Sequence, residues 1–438
     1  ALDRGAVGIL TQGVEPAGDG AWLVAENPRQ AAALLSARAW GRPSEQLNVV
    51  GITGTNGKTT TAHMLHGIWT ASGRPAALLG TLGVKLPDGE FPQARTTPEA
   101  PELQETLARA LAQGAEIAAM EVSSHSLDLH RVDGTRFAAV AFLNLAPEHL
   151  DWHGTMDAYG ASKLRLFAEL LAPGSAPAGP RAVVNGNDPW ADRFRAVVED
   201  SLVFATGGRD ADVTAHGIKT GPEGTDFVLV TPAGEAEVTL PVPGRHNLEN
   251  ALAAAALAFV LGFDLHGIAR GLSRFTPPAG RFECVHRGTF AAYVDYAHTP
   301  DGVEHALAAA RAAAGAGRVI VVLGCGGDRD QIKRPVMGRV AAELSDHAVF
   351  TADNPRFEDP ETIISEMLDG VRDRTSVDVV LDREEALRAA VASARAGDVV
   401  IALGKGHETY QAVRGENHDF PERRILARIA AERDGAES

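Results

Sequence analysis

The sequence predicts an α/β fold in three parts, two of them built on parallel sheets. A chain of 438 residues is too long for one ordinary core. Short β-branched runs alternate with amphipathic helical patterns from residue 47 onward, and the same rhythm restarts near residue 292. Proline and glycine clusters break the pattern at 41–44 and 276–280.

Taken in order, residues 1–46 hold apolar runs at 7–10 and 22–24 and an alanine-rich helical stretch at 28–40, a small α/β fragment. The chain opens in mid-pattern, as if an N-terminal piece preceded it, and its first residues lack the basic and apolar regions of a secretory signal. Strands are expected at 48–53, 117–122, 137–143 and 182–184, with helices on both faces of a parallel sheet. Residues 207–241 switch to Gly, Thr and Asp with alternating Val and Leu, which suggests an antiparallel excursion. A helix is expected at 247–261. Beyond the break, strands at 292–294, 318–323, 348–351 and 398–403 predict a Rossmann-like domain. The expected domains are 1–46, 47–278 and 279–438.

Composition narrows the function. A net charge of −16 disfavours a nucleic-acid or anionic-membrane surface. Two cysteines give no disulfide framework and suit a reducing cytoplasm. The longest apolar run, 251–262, is far shorter than the roughly 20 residues that a membrane span requires.

The most informative stretch is Val50-Gly51-Ile52-Thr53-Gly54-Thr55-Asn56-Gly57-Lys58-Thr59-Thr60. A β-branched run stops at glycines and passes at once into a helical pattern, which reads as a phosphate cradle. Gly54 and Gly57 let successive N–H groups converge on an anion, Lys58 reaches the outer phosphates, and the Thr59 hydroxyl suits Mg²⁺. The alternative is an ordinary strand-to-helix turn, and the strict phosphate-loop pattern wants glycine where Ile52 stands.

Glu121 ends a predicted strand and precedes Val122-Ser123-Ser124-His125, so it reads either as a Mg²⁺ ligand or as a strand-end surface carboxylate. Glu148, His149, Asp151 and His153 follow the next strand, as a functional cluster or a solvated acidic loop. Lys163, among Leu164, Leu166 and Phe167, reads from its neighbours as a snorkelling lysine. In the last domain, three polar clusters follow three strands: Gly324 to Asp330, Asp353-Asn354-Pro355-Arg356 with Glu358, and Gly404-Lys405-Gly406-His407-Glu408. They should meet at the carboxyl edge of one sheet. Arg329 and Arg356 suit carboxylates while Asp353 and Glu408 suit ammonium groups, so a zwitterionic amino acid with an extra charged end is the expected ligand.

Together, Thr53 to Thr60, Glu121 to His125, Asn144-Leu145 leading to His149-Leu150-Asp151-Trp152-His153-Gly154, Pro243 to Asn247, Gly280 to Glu283 and Asp295 to Pro300 resemble the Mur ligases. Within that family they are most similar to the branch that adds the third residue to UDP-N-acetylmuramoyl-L-alanyl-D-glutamate. The resemblance implies the three-domain Mur ligase architecture, with a central P-loop ATPase domain and a C-terminal Rossmann-like domain. It implies that Gly54, Thr55, Asn56, Gly57, Lys58, Thr59 and Thr60 bind ATP phosphates, joined by Asn247, Asn250, Arg281, Asp295 and His298. Mg²⁺ falls to Thr59, Glu121, His149 and Lys163, the last as a CO₂-derived carbamate; Lys58, Glu121, His149 and Lys163 are the catalytic set. Thr96, Thr97, Ser123 and Arg131 match the UDP-muramoyl-dipeptide site. Arg329, Asp353, Asn354, Pro355, Arg356, Gly404 and Glu408 match the amino-acid site, where Asp-Asn-Pro-Arg goes with meso-diaminopimelate and addition of lysine or ornithine is the alternative.

The partners implied are a UDP-muramoyl dipeptide and a diamino acid, with no nucleic acid, no membrane insertion and a monomeric cytoplasmic enzyme. Three positions depart from the family pattern: Leu129 stands where glutamine is common, Pro147-Glu148 replaces Arg-Asp, and only the second half of a uridine-binding segment is visible in residues 1–46. Weak UDP binding is the corresponding expectation; the alternative of another class, an inactive ligase-derived binding protein, is opposed by the retained Lys58, Glu121, His149 and Lys163.

Overall fold

The computed structural model of the chain describes residues 8–13, 21–171, 181–207 and 211–437. The chain forms two compact units. One comprises the chain up to Thr214 with Thr231–Gly234 and Leu252–Gly271; the other comprises Ala215–Val230, Glu235–Ala251 and everything from Leu272.

In the first unit, strands β1 (Gly8–Thr11) and β2 (Ala21–Val24) pair in parallel and lead into helix α1 (Pro28–Ala39). Asn27 caps that helix by accepting from the Gln30 N–H at 3.1 Å, and Pro28 suits its first turn. The expected run at 7–10 is met as β1, except that Val7 lies outside the described residues.

An eight-stranded sheet follows. Its strands are β3 (Asn48–Thr53), β4 (Ala76–Gly80), β5 (Gly83–Leu86), β6 (Gly89–Phe91), β7 (Ile117–Glu121), β8 (Phe137–Phe142), β9 (Ala182–Asn185) and β10 (Ser201–Phe204), in the order β10-β9-β8-β3-β7-β4-β5-β6. The four strands expected here, β3, β7, β8 and β9, are all present and parallel to their neighbours. β4, β5 and β6 extend the sheet through an antiparallel edge that the helical rhythm does not announce.

Strand β3 is central. Val49, Val50 and Ile52 are fully buried, as a strand covered on both faces requires. Gly51 is where Phe137 of β8 crosses, since a Cβ there would lie 2.8 Å from the ring. Because β3 lies between β7 and β8, the loop that leaves it is flanked by Glu121 at the end of β7 and by Leu143-Asn144 beyond β8. Helices α2 (Lys58–Ala71), α3 (Ala100–Ala112), α4 (Ser124–Asp128), α5 (Leu150–His153) and α6 (Met156–Ala168) belong to this unit.

Strands β11 (Thr214–Gly221), β12 (Gly224–Thr231) and β13 (Gly234–Leu240) form the separate three-stranded sheet expected over 207–241. Their two-residue connections are those of antiparallel hairpins. The helix Arg245–Val260 follows.

The second unit carries a six-stranded sheet of β14 (Glu283–Arg287), β15 (Ala291–Asp295), β16 (Val319–Leu323), β17 (His347–Phe350), β18 (Val377–Val379) and β19 (Val399–Leu403). The order is β14-β15-β19-β16-β17-β18, parallel except for β14. Alternate residues of β16 serve two cores: Val319, Val321 and Leu323 pack with helices Pro300–Ala314, Lys333–Leu344 and Pro360–Asp369, while Ile320 and Val322 pack with Arg383–Ser393 and Glu422–Glu437. Strands β19, β16 and β17 are consecutive, so the loops after them share one edge. A hairpin of β20 (Tyr410–Val413) and β21 (Glu416–Asp419) follows β19. Among the described residues no helix is long and apolar enough to cross a membrane.

Candidate active site

The loop Gly54 to Gly57 is held from two sides. Gly54 and Gly57 have φ values of 156° and 87°, and a Cβ on Gly54 would come within 2.9 Å of Leu143. Asn144 clamps the loop: its backbone O accepts from Thr55 N at 3.0 Å, its Oδ1 from Asn56 N at 2.8 Å, and its Nδ2 donates to Asn56 O at 3.1 Å. The Thr55 hydroxyl accepts from Ala146 N at 3.0 Å and meets the Tyr159 hydroxyl at 3.1 Å. Lys58 Nζ folds back onto Gly54 O and Thr55 O, both at 2.8 Å. A cation and the first turn of α2 therefore share one concavity, the requirement for binding phosphate. Asn144 was not among the expected site residues. Its motif carried it, but only the geometry gives both amide atoms partners.

Glu121 is buried, which removes the surface-carboxylate reading. Its Oε2 accepts from Thr59 Oγ1 at 3.0 Å and from Thr81 Oγ1 at 3.1 Å, and its Oε1 from Thr81 N at 2.8 Å. Among the described residues the buried Thr53 hydroxyl at the end of β3 finds no hydrogen-bond partner. Among the described residues no three His, Cys, Asp or Glu side chains form a ready-made metal cage. The paired Thr59 hydroxyl and Glu121 carboxylate nonetheless fit Mg²⁺, which takes few protein oxygens and keeps waters and phosphate. Gly80 leaves that carboxylate its room, since a Cβ would fall 2.1 Å from Glu121 Oε1. Gly80→Ala is accordingly expected to displace the carboxylate and raise the Mg²⁺ concentration for half-maximal activity about 10-fold or more, measured by metal titration of phosphate release.

His149 has left-handed backbone, φ 57°, and lies edge-on to His125 with ring centroids 4.6 Å apart. Burial pushes its imidazole down to about 4, against the opposing pull of Glu148, so it is neutral and competent as a ligand at physiological pH. His153 is tied elsewhere, to the Ser124 hydroxyl at 3.0 Å, and His125 packs against Trp152 and His153. Ring packing thus accounts for part of the cluster that the sequence presents as a site.

Lys163 is not a snorkelling lysine. It is 1% exposed, donates to Gly54 O at 2.9 Å and lies 4.6 Å from the Tyr159 ring centroid. The cause is its place on the inward face of α6 among Tyr159, Leu166 and Phe167. Burial, and next the Lys58 charge, lower its pKa well below the ordinary lysine value.

Thr97 Oγ1 donates to Glu121 O at 2.9 Å and accepts from Ser123 N at 3.2 Å; Arg131 Nη1 donates to Thr97 O at 3.3 Å. Thr96 reaches the same group through Thr81, hydroxyl to hydroxyl at 3.1 Å. These four expected residues therefore surround the end of β7.

In the second unit, Asp295 accepts from Phe282 N at 2.6 Å and Ala297 N at 2.8 Å, and burial raises its carboxyl above the usual range despite Arg281. Arg281 lies over the Tyr296 ring at 4.6 Å, and the His298 ring is tilted against the same ring with centroids 4.7 Å apart. Arg281, Asp295 and His298 thus come together, whereas Asn247 and Asn250 lie on another element, the first turns of Arg245–Val260.

The loops after β19, β16 and β17 do meet. Gly327 N donates to Asn354 O at 2.9 Å, Arg356 Nη1 to Gly327 O at 2.6 Å and Asn354 Nδ2 to Glu408 Oε2 at 2.8 Å. Asp353 is buried and its Oδ2 makes no hydrogen bond; Gly404 faces it, where a Cβ would intrude to 2.6 Å. Arg329 is exposed on the loop after β16, and Pro355 O packs against Gly327. Lys405, fully buried, donates to Asn354 Oδ1 at 3.0 Å and Glu408 Oε2 at 3.3 Å. Both carboxylates thus face a protein cation, Glu408 the Lys405 ammonium and Asp353 the Arg383 guanidinium at 3.8 Å, and only the Glu408 pair is within hydrogen-bond distance.

Residues 52–258 match the Mur ligase middle domain and residues 280–406 the Mur ligase glutamate ligase domain. A UDP-N-acetylmuramoyl-L-alanyl-D-glutamate--2,6-diaminopimelate ligase of Bacillus licheniformis is 42% identical over 433 residues, 99% of this chain and 88% of that protein. The Geobacillus thermodenitrificans ligase of the same name is 41% identical, again over 99% and 88%. A solved ligase structure of that name superposes with a TM-score of 0.68 at 31% identity, covering 96% of this chain and 85% of the other. MurF of Acinetobacter baumannii, at 23% identity and a TM-score of 0.69, shares the fold. On the glycine loop, the buried Thr59–Glu121 pair and these similarities, the chain belongs to the Mur ligase family.

Proposed function

We propose that the chain joins meso-diaminopimelate to the D-glutamate side carboxylate of UDP-N-acetylmuramoyl-L-alanyl-D-glutamate, with cleavage of ATP, in the synthesis of peptidoglycan precursor. The observation that carries the reading is Arg356. It stands in left-handed backbone (φ 52°), with its N–H on Ala412 O at 2.9 Å, and spends one of its guanidinium donors on Gly327 O. A guanidinium anchored on Gly327 O suits an amino acid with a second carboxylate, which lysine and ornithine lack.

The γ-phosphoryl group passes to the acceptor carboxylate, giving an acyl phosphate; the diamino acid amine attacks the acyl carbon, and the tetrahedral intermediate expels phosphate. Lys58 and the amides of residues 54–60 bind the phosphates and offset charge as the phosphoryl group moves. Asn247, Asn250, Arg281, Asp295 and His298 are assigned to the nucleotide, and Thr96, Thr97, Ser123 and Arg131 to the muramoyl dipeptide. Thr59, Glu121 and His149 would hold Mg²⁺, with a Lys163 carbamate as a further oxygen donor, and bound Mg²⁺ would neutralise the phosphate oxygens. CO₂ carbamylates the unprotonated amine, the form that burial of Lys163 favours. The remaining chemistry is positioning. The proposed domains are 1–46, 47–278 and 279–438, in a monomeric cytoplasmic enzyme.

Amino-acid-dependent phosphate release tests this. Diaminopimelate is expected to support turnover and lysine or ornithine to fail; equal turnover with lysine would sink the assignment, and no turnover with any of them would favour an inactive binding protein. Arg356→Ala is expected to raise the KM for diaminopimelate about 10- to 100-fold, the loss of one charged hydrogen-bonded pair, without changing the KM for ATP.

A further inference from the structure

A third arginine, outside the residues assigned above, joins two loops of the amino-acid site. Arg334 opens the helix Lys333–Leu344 and is fully buried, which is costly for a charge unless it is paired and hydrogen-bonded. Its Nη1 donates to Glu358 Oε2 at 2.8 Å and Glu366 Oε2 at 2.7 Å; its Nη2 donates to Glu358 Oε1 at 2.8 Å and Gly326 O at 3.2 Å. Glu358 Oε1 also accepts from Asp328 N, and Asp328 Oδ2 in turn accepts from Phe357 N at 3.1 Å. The bidentate pair therefore ties the loop carrying Arg329 to the loop carrying Arg356. The tie is tight: a Cβ on Gly327 would lie 2.0 Å from Pro355 O, and Asp328 and Arg356 both hold positive φ, 51° and 52°. Aspartate adopts that backbone readily, but for arginine it is uncommon and is held by the surroundings.

We infer that Arg334, through Glu358, is a positioning residue for diamino-acid recognition, holding the Arg356 guanidinium at the spacing from Arg329 that a second carboxylate requires. It rests on the substrate reading above. A lysine at 334 keeps the charge and loses the planar fork, so Arg334→Lys isolates geometry from electrostatics.

The experiment is a kinetic double-mutant cycle on the full chain with Arg334→Lys, Arg356→Ala and both. Arg334→Lys is expected to raise the KM for diaminopimelate about 10-fold while kcat and the KM for ATP stay within about twofold, the loss of one charge-assisted contact's worth of alignment. In the double variant the KM should be no higher than in Arg356→Ala alone, because Arg334 acts through Arg356. Independent, multiplying effects would overturn the inference, as would an unchanged KM in Arg334→Lys. If Arg334→Lys does not fold, Glu358→Gln replaces it in the same cycle with the same criteria. A wild-type preference for lysine is a separate result: it would remove the substrate reading, and with it this role, whatever the cycle gives.

Discussion

Lys58→Met is expected to lower kcat for ligation by about 10²- to 10³-fold or more, the loss typical of removing one preorganised charge or donor from a site where charge develops. The structure explains why a single side chain matters this much. Lys58 Nζ already sits inside the loop, on the carbonyls of Gly54 and Thr55, so its charge is in place before nucleotide arrives. No conformational search is needed to bring it to the phosphate, and methionine offers similar length with no charge. Arg should rescue poorly, because its planar fork does not reproduce a compact ammonium within the small loop. Phosphate release at saturating ATP measures the effect, and the melting temperature controls for folding, since Lys58 is only partly buried. A variant with wild-type kcat would remove Lys58 from the catalytic set.

Much of this site is legible in the sequence because its chemistry sits at junctions that physics restricts. The passage from β3 to α2 requires glycines at 54 and 57, and the burial of β3, β7 and β8 produces continuous apolar runs that end where the polar groups begin. Adjacent parallel strands then bring those ends together, as happens again for the loops after β19, β16 and β17. The β5–β6 edge is not legible: its strands are four and three residues long, too short to show a period.

Buried charge is the other blind spot. Arg334, Arg383 and Lys405 are fully buried, yet nothing in the residues beside them in sequence announces it. Arg383 is paired with Glu422, and Lys405 with Asn354 and Glu408, partners that are 39, 51 and 3 residues distant in sequence. A lysine whose pairing is non-local looks like any surface lysine until the fold is known. Lys163 is the most consequential instance, because its neighbours in sequence suit either a snorkelling or a buried side chain.

Lys163→Met is expected to have two effects of opposite sign. Ligation should fall about 10³-fold, the second of the two large losses, because the side chain can then carry neither an amine nor a carbamate. The stability of the metal-free protein at neutral pH should rise. The sign follows from linkage: burial depresses the folded-state pKa of Lys163, while the unfolded lysine stays protonated up to about 10.4. Between those two values folding must release a proton, so the unfolded state binds more protons and stability increases with pH. Below the folded pKa both states are protonated and the dependence vanishes. Methionine removes the cost, so the gain in melting temperature over wild type should be present at neutral pH and shrink toward pH 10. Bicarbonate adds a third arm: intact mass analysis of wild type should show the mass of one CO₂ added at Lys163, and short carboxylic acids should restore part of the activity of Lys163→Ala by supplying the missing oxygens. A wild-type enzyme equally active after exhaustive removal of CO₂ would show that the amine, and not its carbamate, is the working form of the Lys163 side chain.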